Sequence, residues 1–234
     1  MEKQLHLIAL DFVALYREVS RHSLLTPEGL DMDAFQAVFD RMHMEYLHYA
    51  GSSPTQPFHV EVVENVLQLA AAYLSLPTDV SPSSRAFGLY LVFFLYASQP
   101  CIETTPVRVH VPLATMQSYL DDITDGVEGA ESQTAAAAQL GRRVTDGERR
   151  ILLALHKARA WHIMPFVNFS VHLQTLLKVH DAEGVPLGRS VAQTQQQQQQ
   201  VVDAVGADTA LSKELEAYEA MKRRLGLNDA LGRN

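Results

Sequence analysis

Arg85-Ala86-Phe87-Gly88-Leu89-Tyr90-Leu91-Val92-Phe93-Phe94-Leu95-Tyr96-Ala97-Ser98-Gln99-Pro100 leads, after a short break, into Thr105-Pro106-Val107-Arg108-Val109-His110-Val111-Pro112. From Ala86 to Ala97 the chain is apolar on every face, Gly88 apart. That is about half of the ~20 residues a bilayer crossing requires. The segment therefore reads as a central helix buried by other elements. Val107, Val109 and Val111 then alternate with Arg108 and His110, the period of an extended segment.

Amphipathic helices flank this pair on both sides. Leu5, Ile8, Phe12, Leu15 and Val19 recur every three or four residues and predict a helix ending before Ser23. Thr26-Pro27-Glu28 is a helix-start signal. Phe35, Val38, Phe39, Met42 and Tyr46 place a helix over 32–46, and Gly51-Ser52-Ser53-Pro54 with Pro57 breaks the chain. Val63, Val66, Leu67, Ala70, Tyr73 and Leu74 predict a helix over 59–76. Pro112 can open another, with Leu113, Met116, Tyr119, Leu120 and Ile123 as its apolar set and the acidic run to Gly126 as its end. A short helix at Ala135 to Ala138 is compatible with the sequence. Thr145-Asp146-Gly147-Glu148 has capping-box form and predicts a helix over 146–160 that buries Ile151, Leu152 and Leu155. Val171, Leu173, Leu176, Leu177 and Val179 suggest one more.

The fold class expected is all-α: a multi-helix globular domain over residues 5–180 with one short extended segment. A linker with a glutamine tract follows at 181–206, because such a polar run cannot build a core. An amphipathic helix at 207–228 ends the pattern. There Leu211, Leu215, Tyr218, Met221 and Leu225 step by 4, 3, 3 and 4, a coiled-coil-like seam. It is too short to be stable alone and is expected to pair with a partner helix.

The order of these features resembles the family of subunit 1 of the small nuclear RNA-activating protein complex. The resemblance rests on Leu89, Tyr90, Leu91, Leu95, Tyr96, Gln99, Pro100, Val107, Arg108 and Val109, and on Arg159-Ala160-Trp161-His162 before Met164-Pro165. Trp161 replaces the family's Phe, and the spacing to Met164 is one residue shorter. The likeness runs roughly from Leu10 to Lys178 in several weak motifs that are collinear. It implies a nuclear scaffold that joins a Myb-repeat subunit and a zinc-containing subunit on double-stranded promoter DNA. By the same resemblance the complex recognises the proximal promoter element of small nuclear RNA genes and supports transcription by RNA polymerases II and III. The family's long charged C-terminal extension is missing from this sequence.

Charge agrees with a scaffold rather than an autonomous DNA binder. The 234 residues are 47% hydrophobic and carry a formal charge of −8, whereas a dedicated nucleic-acid binder is usually basic throughout. From Met1 to Val107, 5 Lys/Arg face 12 Asp/Glu, but from Arg142 to Arg159 the balance is 6 to 2. Arg142, Arg143, Arg149, Arg150 and Lys157 are therefore the candidate phosphate contacts, with Arg150 and Lys157 on one helical face. An ordinary solvated face is the competing reading. Trp161 is a candidate partner anchor or a core residue; Leu211, Leu215, Tyr218, Met221 and Leu225 are candidate partner contacts.

Catalysis is not expected. The sequence lacks Gly-x-x-x-x-Gly-Lys-Ser/Thr, Gly-x-Gly-x-x-Gly and Gly-x-Ser-x-Gly. The ten histidines do not recur at the i, i+4 spacing of a helical zinc pair, and Cys101 is the single cysteine. No metal, cofactor, disulfide, secretion signal or membrane span is expected. Asp31 and Asp33, and Asp121 and Asp122, read as caps or solvated charge rather than acid–base pairs. A helical adaptor for peptides or trafficking partners is the alternative reading.

Overall fold

A computed structural model describes residues 2–22, 24, 30–76, 82–128, 144–167, 170–185 and 187. All of them fall in one unit, Met1–Arg189. The signal at Thr26-Pro27-Glu28, the stretch at Ala135 to Ala138, Arg142, Arg143, the glutamine tract and the 207–228 seam lie outside the described residues.

Seven α-helices are described: α1 (Glu2–Arg21), α2 (Met32–Arg41), α3 (Val60–Ala72), α4 (Pro82–Ala97), α5 (Leu113–Glu128), α6 (Asp146–Lys157) and α7 (Ser170–Ala182). Two strands, β1 (Val109–Pro112) and β2 (Trp161–Met164), pair in parallel, with Val109 opposite Trp161 and Pro112 opposite Met164. The fold is therefore mostly helical but not purely all-α. The period-two run is extended as expected, and it pairs with a second strand at Trp161–Met164, just past the expected helix, where the spacing predicted no element. The strand arises because α6 stops at Lys157, earlier than expected. Arg159 takes φ 54°, which turns the chain so that the Ala160 carbonyl accepts the Val109 N–H at 2.8 Å.

The apolar α4 sits in the core as its composition demands. Residues 84–92 are buried without interruption, and Phe87 packs edge-on against Tyr16, Tyr73 and Phe35 at centroid distances of 5.0, 5.3 and 5.9 Å. It is not uniquely central: residues 66–74, running from α3 into a 3-10 turn (Tyr73–Ser75), are buried as continuously. Gly88 is what lets the two runs meet. A Cβ there would overlap the Cβ of Tyr73.

Three further differences have local causes. The helix expected over 32–46 divides into α2 and a 3-10 turn (Met44–Tyr49), because His43 adopts φ 53° between them. α5 continues to Glu128, past the acidic run and Gly126. Its expected apolar set holds in part: Tyr119 is buried and Met116 and Ile123 pack against the core, but Leu113 and Leu120 are both 52% exposed and Thr115 is buried. Arg85, buried near the start of α4, takes further partners from this face. Its guanidinium lies 4.3 Å from the Tyr119 ring centroid, donates to Ser118 Oγ at 3.3 Å and lies 3.8 Å from Asp122. A buried cation requires such partners, and Ser118 and Asp122 supply them beside the buried Tyr119.

Candidate functional site

The candidate surface is built by α6 and the strand pair. The capping box at its start forms as expected: Thr145 Oγ1 accepts the Glu148 N–H at 3.3 Å, and Glu148 Oε2 accepts the Thr145 N–H at 2.7 Å. Ile151, Leu152 and Leu155 are buried, which fixes the rotation of α6 and leaves Arg150, Leu153 and Lys157 exposed along one face. Arg149 points elsewhere. It is half-buried, with Nη1 3.7 Å from Asp146 Oδ1. Of the three described candidate cations, two therefore stand free in solvent and one is partly neutralised.

The strand pair adds two cations that were not among the candidate contacts: Arg159, already counted in the basic stretch, and Arg108. The last turn of α6 closes with the Arg159 N–H donating to His156 O at 3.0 Å and the Ala160 N–H to Leu155 O at 2.9 Å. This is a Schellman end with arginine at its left-handed position. Arg108 arrives from the other side, immediately before β1. It lies close enough to oppose the burial that raises the pKa of Tyr96, whose hydroxyl donates to Ala158 O at 3.2 Å. Arg108 and Arg159 are 51 positions apart in the chain; the pairing of Val109 with Trp161 brings the starts of their strands together. Cations at a helix C-terminus also complement its dipole.

No Asp or Glu occurs between Glu103 and Asp121, or between Glu148 and Asp181. Both strands and most of α6 lie inside these two acid-free runs, in a chain of net charge −8. His110 and His162 stack edge-on across the strands, 4.8 Å between centroids. Trp161 is only 9% exposed and faces the core, with Nε1 lacking a hydrogen-bond partner. Ile163 and Phe166 beside it are 49% and 77% exposed.

Residues 24–138 match the family model of the small nuclear RNA activating complex, subunit 1. Over that span the chain belongs to the subunit 1 family. No curated protein matches the chain. The family span covers α2 to α5, with the central α4, β1 and Arg108; α6 and β2 follow it. Over that span the chain is similar to subunit 1 of a small nuclear RNA-activating complex, and its candidate basic surface lies mostly downstream of the matched region.

The other candidates resolve into structure. Asp31 caps α2 by accepting the Ala34 N–H at 2.9 Å. Asp121 accepts from Gln117 Nε2 at 3.0 Å. Cys101 is buried and donates from Sγ to Gln99 Oε1 at 3.3 Å, while the same oxygen accepts the Val107 N–H at 2.7 Å. Gln99 and Cys101 thus fix the turn between α4 and β1. Among the described residues no group of three or more His, Cys, Asp or Glu side chains is placed to hold a metal ion, and no helix is long and apolar enough to cross a membrane.

Proposed function

We propose that the protein is a non-catalytic, nuclear scaffold subunit of a complex that binds the proximal promoter element of small nuclear RNA genes and supports their transcription by RNA polymerases II and III. Its neighbours in this reading are a Myb-repeat subunit, a zinc-containing subunit and double-stranded promoter DNA. The observation that carries the reading is the subunit 1 match over residues 24–138. The acidic net charge supports a division of labour in which other subunits read bases. The exposed Arg150 and Lys157 with Arg149 then touch phosphates, contacts that position a complex without specifying sequence.

The test is a salt titration of the reconstituted complex on promoter and scrambled DNA, with Arg149, Arg150 and Lys157 all changed to Ala. Affinity is expected to fall on both DNAs. The salt slope should flatten by up to roughly 0.9 per lost contact, and preference for the promoter should hold. Unchanged affinity and slope would remove the phosphate role; failure of the chain to assemble with the other subunits would remove the scaffold role.

A further inference from the structure

A two-stranded parallel ladder leaves its outer edges open. In such a ladder, alternate residues of a strand turn both N–H and C=O to the same neighbour. The Val109 N–H donates to the Ala160 carbonyl, and Val109 lies opposite Trp161. This phase turns Ala160, His162 and Met164 toward β1. Trp161 and Ile163 consequently direct their N–H and C=O groups away from it, along the free edge. Neither residue has another backbone partner among the described residues. Unpaired edge groups template the addition of a further strand.

The surroundings of this edge select a chemistry. Ile163 and Phe166 offer exposed apolar surface. Arg159 stands at the entrance to β2, His162 lies on its outer side, and Arg108 flanks β1. No carboxylate of either acid-free run opposes them. Arg159 holds a left-handed conformation that glycine occupies without strain. The same closing turn at the end of α7 uses Gly184, at φ 64°, with Gly184 N–H to Asp181 O at 3.1 Å and Val185 N–H to His180 O at 3.0 Å. An arginine in a conformation that glycine adopts more easily is a strained position of the kind found at binding sites.

We propose that the free edge of β2 takes an extended segment of a partner protein by strand addition, a segment in which apolar and acidic residues alternate. Backbone bonds to Trp161 and Ile163 hold it. Its apolar residues cover Ile163 and Phe166, and its carboxylates meet Arg159, His162 and Arg108. The site is separate from the Arg150 and Lys157 face of α6, and it requires neither DNA nor assembly of the promoter complex.

The experiment is peptide display on the purified full-length chain, counter-selected against Ile163→Pro. Proline at this position removes only an outward N–H, the one place an edge strand tolerates it. Alternating acidic and apolar peptides should be enriched. They should slow amide exchange at residues 161–164 and bind Arg159→Glu at least tenfold more weakly. Arg159→Glu alters an exposed side chain, so it serves where Ile163→Pro does not fold. Peptides that ignore both variants, peptides that leave exchange at 161–164 unchanged, or a selection with no enrichment would overturn the proposal. So would random-sequence duplex DNA that protects the same amides and loses affinity in Arg159→Glu, since the edge cations would then serve phosphate.

Discussion

Two residues show backbone geometry outweighing side-chain type. Gly88 is an isolated glycine inside an apolar helix, ordinarily a cost of about 1 kcal/mol against alanine. Here the close passage of Tyr73 reverses the sign, because a methyl group would overlap Tyr73 Cβ. Gly88→Ala should therefore destabilise by roughly 1–3 kcal/mol or more, as overpacking does, read as a lower urea midpoint. Arg159 is the opposite case. Replacing it with glycine relieves a left-handed conformation and should stabilise by roughly 1 kcal/mol. Gly184→Ala, in the same kind of turn, should destabilise. A urea midpoint that falls in Arg159→Gly would show that the guanidinium is needed for folding rather than for binding. The sequence exposes Gly88 as an exception but not its reason, which lies 15 positions upstream.

At the scale of elements, what is local was legible. The capping box of α6 involves neighbours three apart, and both of its hydrogen bonds form. Thr145→Ala should cost about 1 kcal/mol and speed amide exchange in the first turn of α6 without changing the urea m-value. The apolar spacing of α1 and α6 also translated directly into burial, because each has one oily face and one neighbour to bury it against. α5 followed this rule only in part: Tyr119 is buried as its spacing predicts, while Leu113 and Leu120 are exposed. The same face also serves the buried Arg85, through Tyr119, Ser118 and Asp122, and nothing within 113–128 announces that demand. β2 escaped notice for a similar reason. Trp-His-Ile-Met is too short for its single alternation to stand out, and becomes a strand because Val109 to Pro112 lies beside it.

Across the whole molecule, two buried histidines tie distant elements together and set an acid limit on stability. His48 donates from Nε2 to Leu95 O at 2.8 Å. His180 donates from Nδ1 to Val185 O at 2.8 Å, and its Nε2 accepts from the Tyr73 hydroxyl at 2.8 Å. The acceptor role of His180 Nε2 requires a neutral imidazole, and burial favours the neutral form of His48. Burial pushes both pKa values down to about 4, against the opposing pull of their backbone hydrogen bonds. A depressed histidine contributes stability that is complete above the ordinary value near 6.5 and is lost as pH falls toward 4. Each should cost up to about 1.4 kcal/mol per pH unit in that window. Urea unfolding at pH 7, 6 and 5 should show the loss, and His180→Gln should flatten it; a profile level from pH 7 to 5 would contradict the neutral assignment. By itself the sequence determined the helices, the central apolar segment, the extended run and the family likeness, because these rest on spacing between near neighbours. Only the tertiary structure decided that β1 finds β2, that α5 offers Tyr119, Ser118 and Asp122 to the buried Arg85, that Gly88 admits Tyr73, and that Arg108 and Arg159 stand at the starts of paired strands. Those outcomes depend on which distant groups share a place. Pairing backbone donors and burying charge are demands of the assembled core, not of any one segment.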